Sequence, residues 1–341
     1  MKTKPRKNFK KRKTVDKPVV KNVVTPEKTR HHAELLANRV KKQFRHLSRR
    51  FKRQQIDCFR LYDWDIPEVR AVVDWYAGHL VVAEYIRLQT GPKWLPIVAK
   101  AAAEALGVPP EKTHVKRRQT HIKVGTRYKR LSSKGIRFKV KERDLLFWVN
   151  LDDFLDTGLF SDHRDTRVMI RDMVKGKDFL NLYAYTGAFT CAAAAGGARS
   201  TVTVDRSETY LKWAKGNLKL NGFDGRQHQM VQSDVDRYLT KAYRAGHQFD
   251  VIFVDPPSFF QDKQRNVSFD INRDHPDLLQ NVLKITAPGG VVIFSTNHQR
   301  FEPHFEDLPV KDIKDITDKT IPEDYRNPQV HRCWIIRRRV T

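Results

Sequence analysis

The chain has 341 residues, 40% of them apolar, which is enough for two separate cores and too apolar for general disorder. Its 65 Lys and Arg against 39 Asp and Glu leave a formal charge of +26. Such an excess favours a polyanionic partner and salt-dependent binding without dictating a fold.

No apolar run approaches the ~20 residues of a membrane span. The basic N-terminus has no apolar stretch behind it, so it does not read as a secretory signal. Cys58, Cys191 and Cys333 form no CxxC pair, which argues against a disulfide framework and a zinc site and leaves no metal expected. A reduced, cytoplasmic setting fits best.

Residues 1–30 contain KPRKNFKKRK and predict a disordered basic arm suited to phosphate contact, or else a solubilising tail. From Ala33 to Phe51, the residues Leu36, Val40, Phe44, Leu47 and Phe51 fall at helical spacing, with Lys and Arg on the other faces. CFRLYD and HLVVAEYI read as strands. WLPIVAKAAAEALG reads as a helix closed by Gly107, with Pro109 and Pro110 beyond it. THVKRR and IRFKVKERDLLFWVNL return to strand character. Residues 31–155 therefore predict a small, basic α+β domain.

After about residue 165 strands and helices alternate. The predicted strands are DFLNLYAY, STVTVD, HQMVQSD, FDVIFVD and VVIFST, completed by KDITDKT and HRCWIIRR. The helices are GAFTCAAAAGG, stopped by Gly196 and Gly197, SETYLKWAKGNLKLNG, capped by Ser207, and RDHPDLLQNVLKITAPGG. This alternation predicts a doubly wound, mainly parallel α/β sheet over residues 156–341.

In such a sheet, ligands sit beyond the carboxyl ends of the strands. Here those ends carry Thr186-Gly187, Asp205, Asp234 and Asp255 in turn. Asp205 lies 205 − 187 = 18 residues beyond the glycine, close to the ~20 expected for an acid that grips a ribose diol. YAYTGAF has one glycine where a dinucleotide fingerprint has three, and no P-loop is present. A ligand without phosphates fits better, and S-adenosylmethionine is one. Asp234 is placed to accept from an adenine amino group. Any one of these acids could equally be a helix N-cap, but three at successive strand ends point together to a cofactor. Asn181, Tyr183, Arg206, Ser207 and Val235 flank these positions and complete the candidate set.

FDVIFVDPPSFF then lies where a methyl acceptor would meet that cofactor. Pro256 and Pro257 fix the loop and offer carbonyls without N–H groups. Asp255 can accept from a base amino group or order the loop. Phe259 or Phe260 can stack on a base, with the other turned into the core. Asn297, beyond the fifth strand, is a possible contact to the base edge.

FLNLYAYTGAFTCAAAAGGARSTVTVDRSETYLKWAKGNLKLNG and DVIFVDPPSF resemble the class I methyltransferases of large-subunit ribosomal RNA, and the RlmK family in particular. IDCFRLYDWDIPE, LFWVNLDDFLDTGLFSDHRDTR and RNPQVHRCWII extend the resemblance over nearly all the chain except the arm. It implies methyl transfer from S-adenosylmethionine to N7 of a guanosine in 23S rRNA, free or in a large-subunit precursor particle. It also implies a small RNA-binding domain ahead of the catalytic one, and a separate N2-guanine methyltransferase acting nearby. DTGLFSDHR, alone a solvated loop, would by resemblance pass over the cofactor, with Thr157, Phe160, His163 and Arg164 as contacts.

Related enzymes make 5-methylcytidine, which needs a cysteine to add to the ring. In those relatives it follows the fifth strand. IFSTNHQRF has none at that place, and no other cysteine stands at a suitable strand end. Exocyclic amines usually meet an NPPY or DPPY loop, whereas this one reads DPPSF. Guanine N7 carries its own in-plane lone pair and loses no proton, so it needs positioning rather than a base. An RNA-binding assembly factor without catalysis is the alternative of another class, and the acids Asp205 and Asp234 argue against it.

Overall fold

The computed structural model describes residues 23–87, 89–118, 130–262 and 267–340. The stretch KPRKNFKKRK of the expected arm lies outside them. The first helix, α1 (Pro26–Arg53), begins within the segment expected to be disordered. Its start is well specified locally. Thr25 Oγ1 accepts from Lys28 N at 3.3 Å, Pro26 suits the first turn, and Glu27 faces the helix N-terminus.

Next come β1 (Cys58–Asp63), β2 (Ala71–Tyr76) and β3 (His79–Tyr85), an antiparallel meander. Helix α2 (Trp94–Leu106) crosses over to β4 (Thr113–Arg118), which pairs parallel to β3. Gly107, at φ 67°, ends α2 as expected. Strand β2 was not legible because Asp74 interrupts its apolar run; the Arg60 guanidinium reaches that buried carboxylate at 2.8 Å. Leu36, Val40, Leu47 and Phe51 of α1 bury with Val98, Ala99 and Ala102 of α2 on one face of this sheet.

A hairpin follows, β5 (Phe138–Glu142) and β6 (Leu145–Val149), turning at Arg143 with φ 59°. Its inward face packs with Ala188, Cys191 and Leu218 from beyond residue 155, so a shared core runs across the expected boundary.

The remaining elements are α3 (Arg164–Met173), β7 (Asp178–Leu182), α4 (Ala188–Ala195), β8 (Ser200–Asp205), α5 (Glu208–Leu220) and β9 (His228–Gln232). They continue with α6 (Val235–Arg244), β10 (Phe249–Val254), the small hairpin β11 (Phe259–Asp262) and β12 (Val267–Asp270), and α7 (Ile271–Lys284). The chain closes with β13 (Thr286–Thr296), β14 (Val310–Asp315), α8 (Thr317–Thr320) and β15 (Arg332–Arg338).

The main sheet has the order β14-β15-β13-β10-β7-β8-β9. Strands β9, β8, β7, β10 and β13 run parallel, and β15 is antiparallel to both its neighbours. From β7 the chain moves outward through β8 and β9, then returns to place β10 on the other side of β7. That reversal opens a crevice between the exits of β7 and β10. Helices α6 and α7 cover one face, α3 and α4 the other, which is why β10 reads as unbroken apolar sequence.

Three expectations are corrected. KDITDKT is split between the end of β14 and α8. The helix expected to run through TAPGG stops at Lys284, and β13 absorbs that segment because Thr286 already pairs with Phe249. DFLNLYAY ends as a strand at Leu182, because Tyr183 turns into the left-handed region.

The two sheets are tied by a buried ion pair. Arg164 Nη1 meets Asp324 Oδ1 at 2.9 Å, and Nη2 also donates to the Cys58 carbonyl in β1. Asp324 Oδ2 accepts from Arg60 N of the same strand at 2.8 Å. Replacing Arg164 with Met leaves Asp324 buried without its cation. Urea denaturation is expected to show a loss of about 3–5 kcal/mol; a loss below about 1 kcal/mol, as for exposed pairs, would remove this tie from the account.

Candidate active site

The exit of β7 is built on unusual backbone. Tyr183 and Tyr185 hold φ of 54° and 50°, which costs non-glycine residues roughly 1–3 kcal/mol each. Surrounding bonds hold them there. Ala184 N donates to Val204 O, and Tyr185 N donates to Asp205 Oδ2 at 2.9 Å. Gly187, at φ 71°, serves helix packing: a Cβ there would lie 2.7 Å from Ala214 Cβ of α5.

Asp205 is half-buried at the end of β8. Its other oxygen accepts from Ser207 N at 2.8 Å, so one carboxylate fastens two loops. Burial raises its carboxyl above the usual range, opposed by those N–H groups. An ionised carboxylate has about four lone-pair sites, so acceptor capacity remains for a hydroxyl. Ser207 caps α5 by accepting from Tyr210 N. Asp234 occupies the N-cap position of α6, yet its side chain makes no capping bond; it faces Arg206 Nη1 at 3.7 Å instead. The Arg206 guanidinium lies 5.8 Å from the Phe260 ring centre. Thus Asp205, Arg206 and Asp234 line one side of the crevice.

Over the β7 exit lies DTGLFSDHR. Thr157 Oγ1 and Tyr76 OH share a hydrogen bond of 2.9 Å. Gly158, at φ 103°, passes so near α5 that a Cβ would lie 2.2 Å from the Trp213 ring. Its carbonyl accepts from Thr186 Oγ1 at 2.6 Å, and the Phe160 and Tyr185 rings lie 5.1 Å apart. His163 is buried, stacked at 4.1 Å and 15° on His331, with Nε2 3.8 Å from Asp255 Oδ2 and 3.5 Å from Ser295 Oγ. Burial, then the parallel ring of His331, depress its basicity well below that of ordinary imidazole.

At the exit of β10, Pro256 is buried and Asp255 half-buried. Ser258 Oγ donates to Asn297 Oδ1 at 2.8 Å, joining this loop to the end of β13. The two phenylalanines part company. Phe260 stacks on Phe269 against the core, whereas Phe259 is 50% exposed.

Three predicted residues are directed elsewhere. Arg164 is committed to Asp324 and Cys58, with its guanidinium 5.0 Å from the Phe51 ring centre. Its long, always-charged side chain is buried between the two sheets and cannot also serve the crevice. Val235 is buried in the core with α6 and α7. Asn181 lies inside β7 and donates to Thr190 Oγ1, while its Oδ1 is buried without a hydrogen-bond partner.

Sequence reasoning missed Tyr185, Ser258, Asp162 and His331. His331 Nδ1 lies 3.2 Å from Asp162 and Nε2 3.0 Å from Thr320 Oγ1. Asp162, His163 and His331 bring ligand atoms within 4.8 Å of one another. The two rings are nearly parallel, however, so their in-plane lone pairs do not converge, and His331 Nε2 is already engaged by Thr320. The trio reads as a hydrogen-bonded network rather than a metal centre.

The donor set fits S-adenosylmethionine. The crevice offers carboxylates for hydroxyl and amino groups, with strained backbone at its mouth. Its cation Arg206 faces Asp234. This is the architecture of a class I methyltransferase. The family of S-adenosylmethionine-dependent methyltransferases matches residues 63–317, and the chain belongs to it.

Solved structures show the same fold. SMU.776, a proposed methyltransferase complexed with SAH, has a TM-score of 0.70 at 22% identity, covering 91% of this chain and 81% of that one. A SAM-dependent methyltransferase from Agrobacterium tumefaciens gives 0.58 at 16% identity, covering 84% and 91%. The tRNA m1G37 methyltransferase of M. jannaschii gives 0.50 at 14% identity, covering 89% and 77%.

Two outcomes are expected. Asp205→Ala raises the dissociation constant for S-adenosylmethionine about 10- to 100-fold in isothermal titration calorimetry; unchanged affinity would release Asp205 from the site. Because the folded chain keeps His163 neutral below about pH 6.5, where the unfolded chain protonates it, stability is lost as pH falls through that range. His163→Gln removes part of this slope in urea midpoints measured between pH ~7 and ~5; an identical slope would count against a depressed His163.

Proposed function

We propose that this S-adenosylmethionine-dependent methyltransferase methylates N7 of a guanosine in 23S rRNA, free or within a large-subunit precursor particle. Bound S-adenosylmethionine supplies an electrophilic methyl on a positively charged sulfur. The chain's own residues hold the acceptor: Phe259 offers a ring face for stacking, and Asp255 accepts from the base's amino group.

The observation that carries guanine is the Ser258–Asn297 bond. Because Asn297 Oδ1 accepts from Ser258, its amide NH2 is left as a donor at the rim. That donor suits O6 of guanine, the acceptor beside N7, and opposes the amino group that adenine carries there.

Cysteine chemistry supports the same reading by elimination. Cys58, Cys191 and Cys333 are buried, and burial raises each thiol above its usual range. None is a nucleophile for carbon methylation. Attack by N7 uses a lone pair in the base plane and releases no proton, so a weakly basic His163 is no obstacle.

RNA as substrate rests on the charge of +26 and on the basic small domain. Among the described residues, no helix is long and apolar enough to cross a membrane.

The test is methylation of unmodified large-subunit rRNA with labelled S-adenosylmethionine, followed by nucleoside mass spectrometry. 7-Methylguanosine is expected. 5-Methylcytidine, N2-methylguanosine or N6-methyladenosine would overturn the acceptor assignment while leaving fold and cofactor in place. Phe259→Ala is expected to lower kcat/KM for rRNA about tenfold or more, from lost stacking, with cofactor affinity unchanged.

A further inference from the structure

A second concave site lies on the small domain. A cavity of about 400 Å3 opens between α1 and the edge of its sheet, within the ~300–1,000 Å3 typical of ligand pockets. Phe44, Phe59 and Trp75 form its apolar wall, and Lys52, Lys141 and Asp57 supply its polar rim. Phe44 and Trp75 are only half-buried, with ring centres 4.7 Å apart. The sequence places Phe44 on the core stripe of α1; in the fold it stands at the open margin of that core.

The same helix continues the site with charge. Beside it on the same helix, Asn38, Lys41, Lys42, Arg45 and His46 form a shallow basic surface. Helix α1 carries ten Lys and Arg against two Glu. Its ion pairs use Arg30, Arg39 and Arg50. Lys41, Lys42, Arg45 and Lys52 enter none among the described residues. From Lys41 to Lys52 the helix rises ~16 Å, room for several nucleotides of an extended strand. At the far side, Lys141 belongs to β5, whose hairpin packs on α4 and α5 of the catalytic unit.

We propose that this groove binds an unpaired nucleotide of the substrate RNA, distinct from the one that is methylated. The base enters against Phe44 and Trp75, and the flanking phosphates lie on the α1 cations and on Lys52 and Lys141. An aromatic platform beside a basic track is the chemistry that holds single-stranded nucleic acid without strong sequence preference. An acidic or apolar peptide would match only part of this surface. The groove gives the enzyme a second grip on its RNA, continuous through β5 with the catalytic unit; the inference rests on the RNA reading above.

The test uses the full chain and a fluorescein-labelled single-stranded RNA of mixed sequence, followed by fluorescence anisotropy. Phe44→Leu keeps apolar packing but removes the stacking face, and the double variant Lys52→Gln/Lys141→Gln removes the rim charges. Each is expected to weaken RNA binding about tenfold, with cofactor affinity and melting temperature near wild type. The lysine variant should also show a shallower salt dependence.

Wild-type RNA affinity in both variants would overturn the groove while leaving rRNA methylation intact. A wild-type chain that neither binds nor methylates RNA would overturn both readings. Variants that bind naked RNA normally but lose a large-subunit precursor particle would assign the groove to a protein and overturn its nucleotide occupant.

Discussion

The structure depends on how one carboxylate is shared. Asp324, buried in the loop before β15, accepts from Arg164 at the start of α3 and from the backbone of Arg60 in β1. That arrangement joins elements more than 250 residues apart in sequence. Neither charge could be buried alone, so the small sheet, helix α3 and the C-terminal loop must assemble together. Arg167, one turn along α3, does the same for Glu142 of β5 with bonds of 2.7 and 2.6 Å. The DTGLFSDHR segment over the β7 exit is thereby anchored at its C-terminal end by two buried guanidiniums.

The anchoring explains why the crevice can hold costly geometry. Two tyrosines in the left-handed region raise the free energy of the folded chain, and a buried histidine held neutral does so as pH falls. They persist because the packing around them over-determines their positions. Asp205 illustrates the economy of the design: it closes the β7 and β8 loops with its backbone contacts and keeps acceptor sites for a ligand. The Ser258–Asn297 bond couples the β10 and β13 exits in the same way. The geometry of these strand exits is therefore set by hydrogen bonds between loops rather than by any one loop.

Much of the fold was legible because local signals agree with tertiary placement. Ser207, Gly107 and Gly197 mark helix ends where capping chemistry predicts them. The run VIFV had to be a strand covered on both faces. Where a buried charge broke the pattern, as at Asp74 in β2, the strand was lost to view. Helices α3 and α6 were hidden too, because their starts overlap stretches read for chemistry, SDHR and SDVDR. Of the two phenylalanines after DPPS, the need for one to enter the core was legible. Which one did so depended on Phe269, which pairs opposite Phe260 in the small hairpin.

Sequence by itself determined what rests on residue type and short spacing: the mainly parallel sheet, the acids at its strand ends, the cofactor class and the strong positive charge. Tertiary structure decided which of those residues meet. Arg164 and His163 are neighbours in sequence, yet one is spent on Asp324 and the small sheet and the other faces Asp255, since adjacent positions entering a helix point in different directions. His331 joins His163 across 168 residues, and Phe44 moves from core stripe to groove wall because the sheet beneath α1 ends there. Periodicity reports which face of an element is apolar; only the packed partners determine whether that face is covered or left open to a ligand.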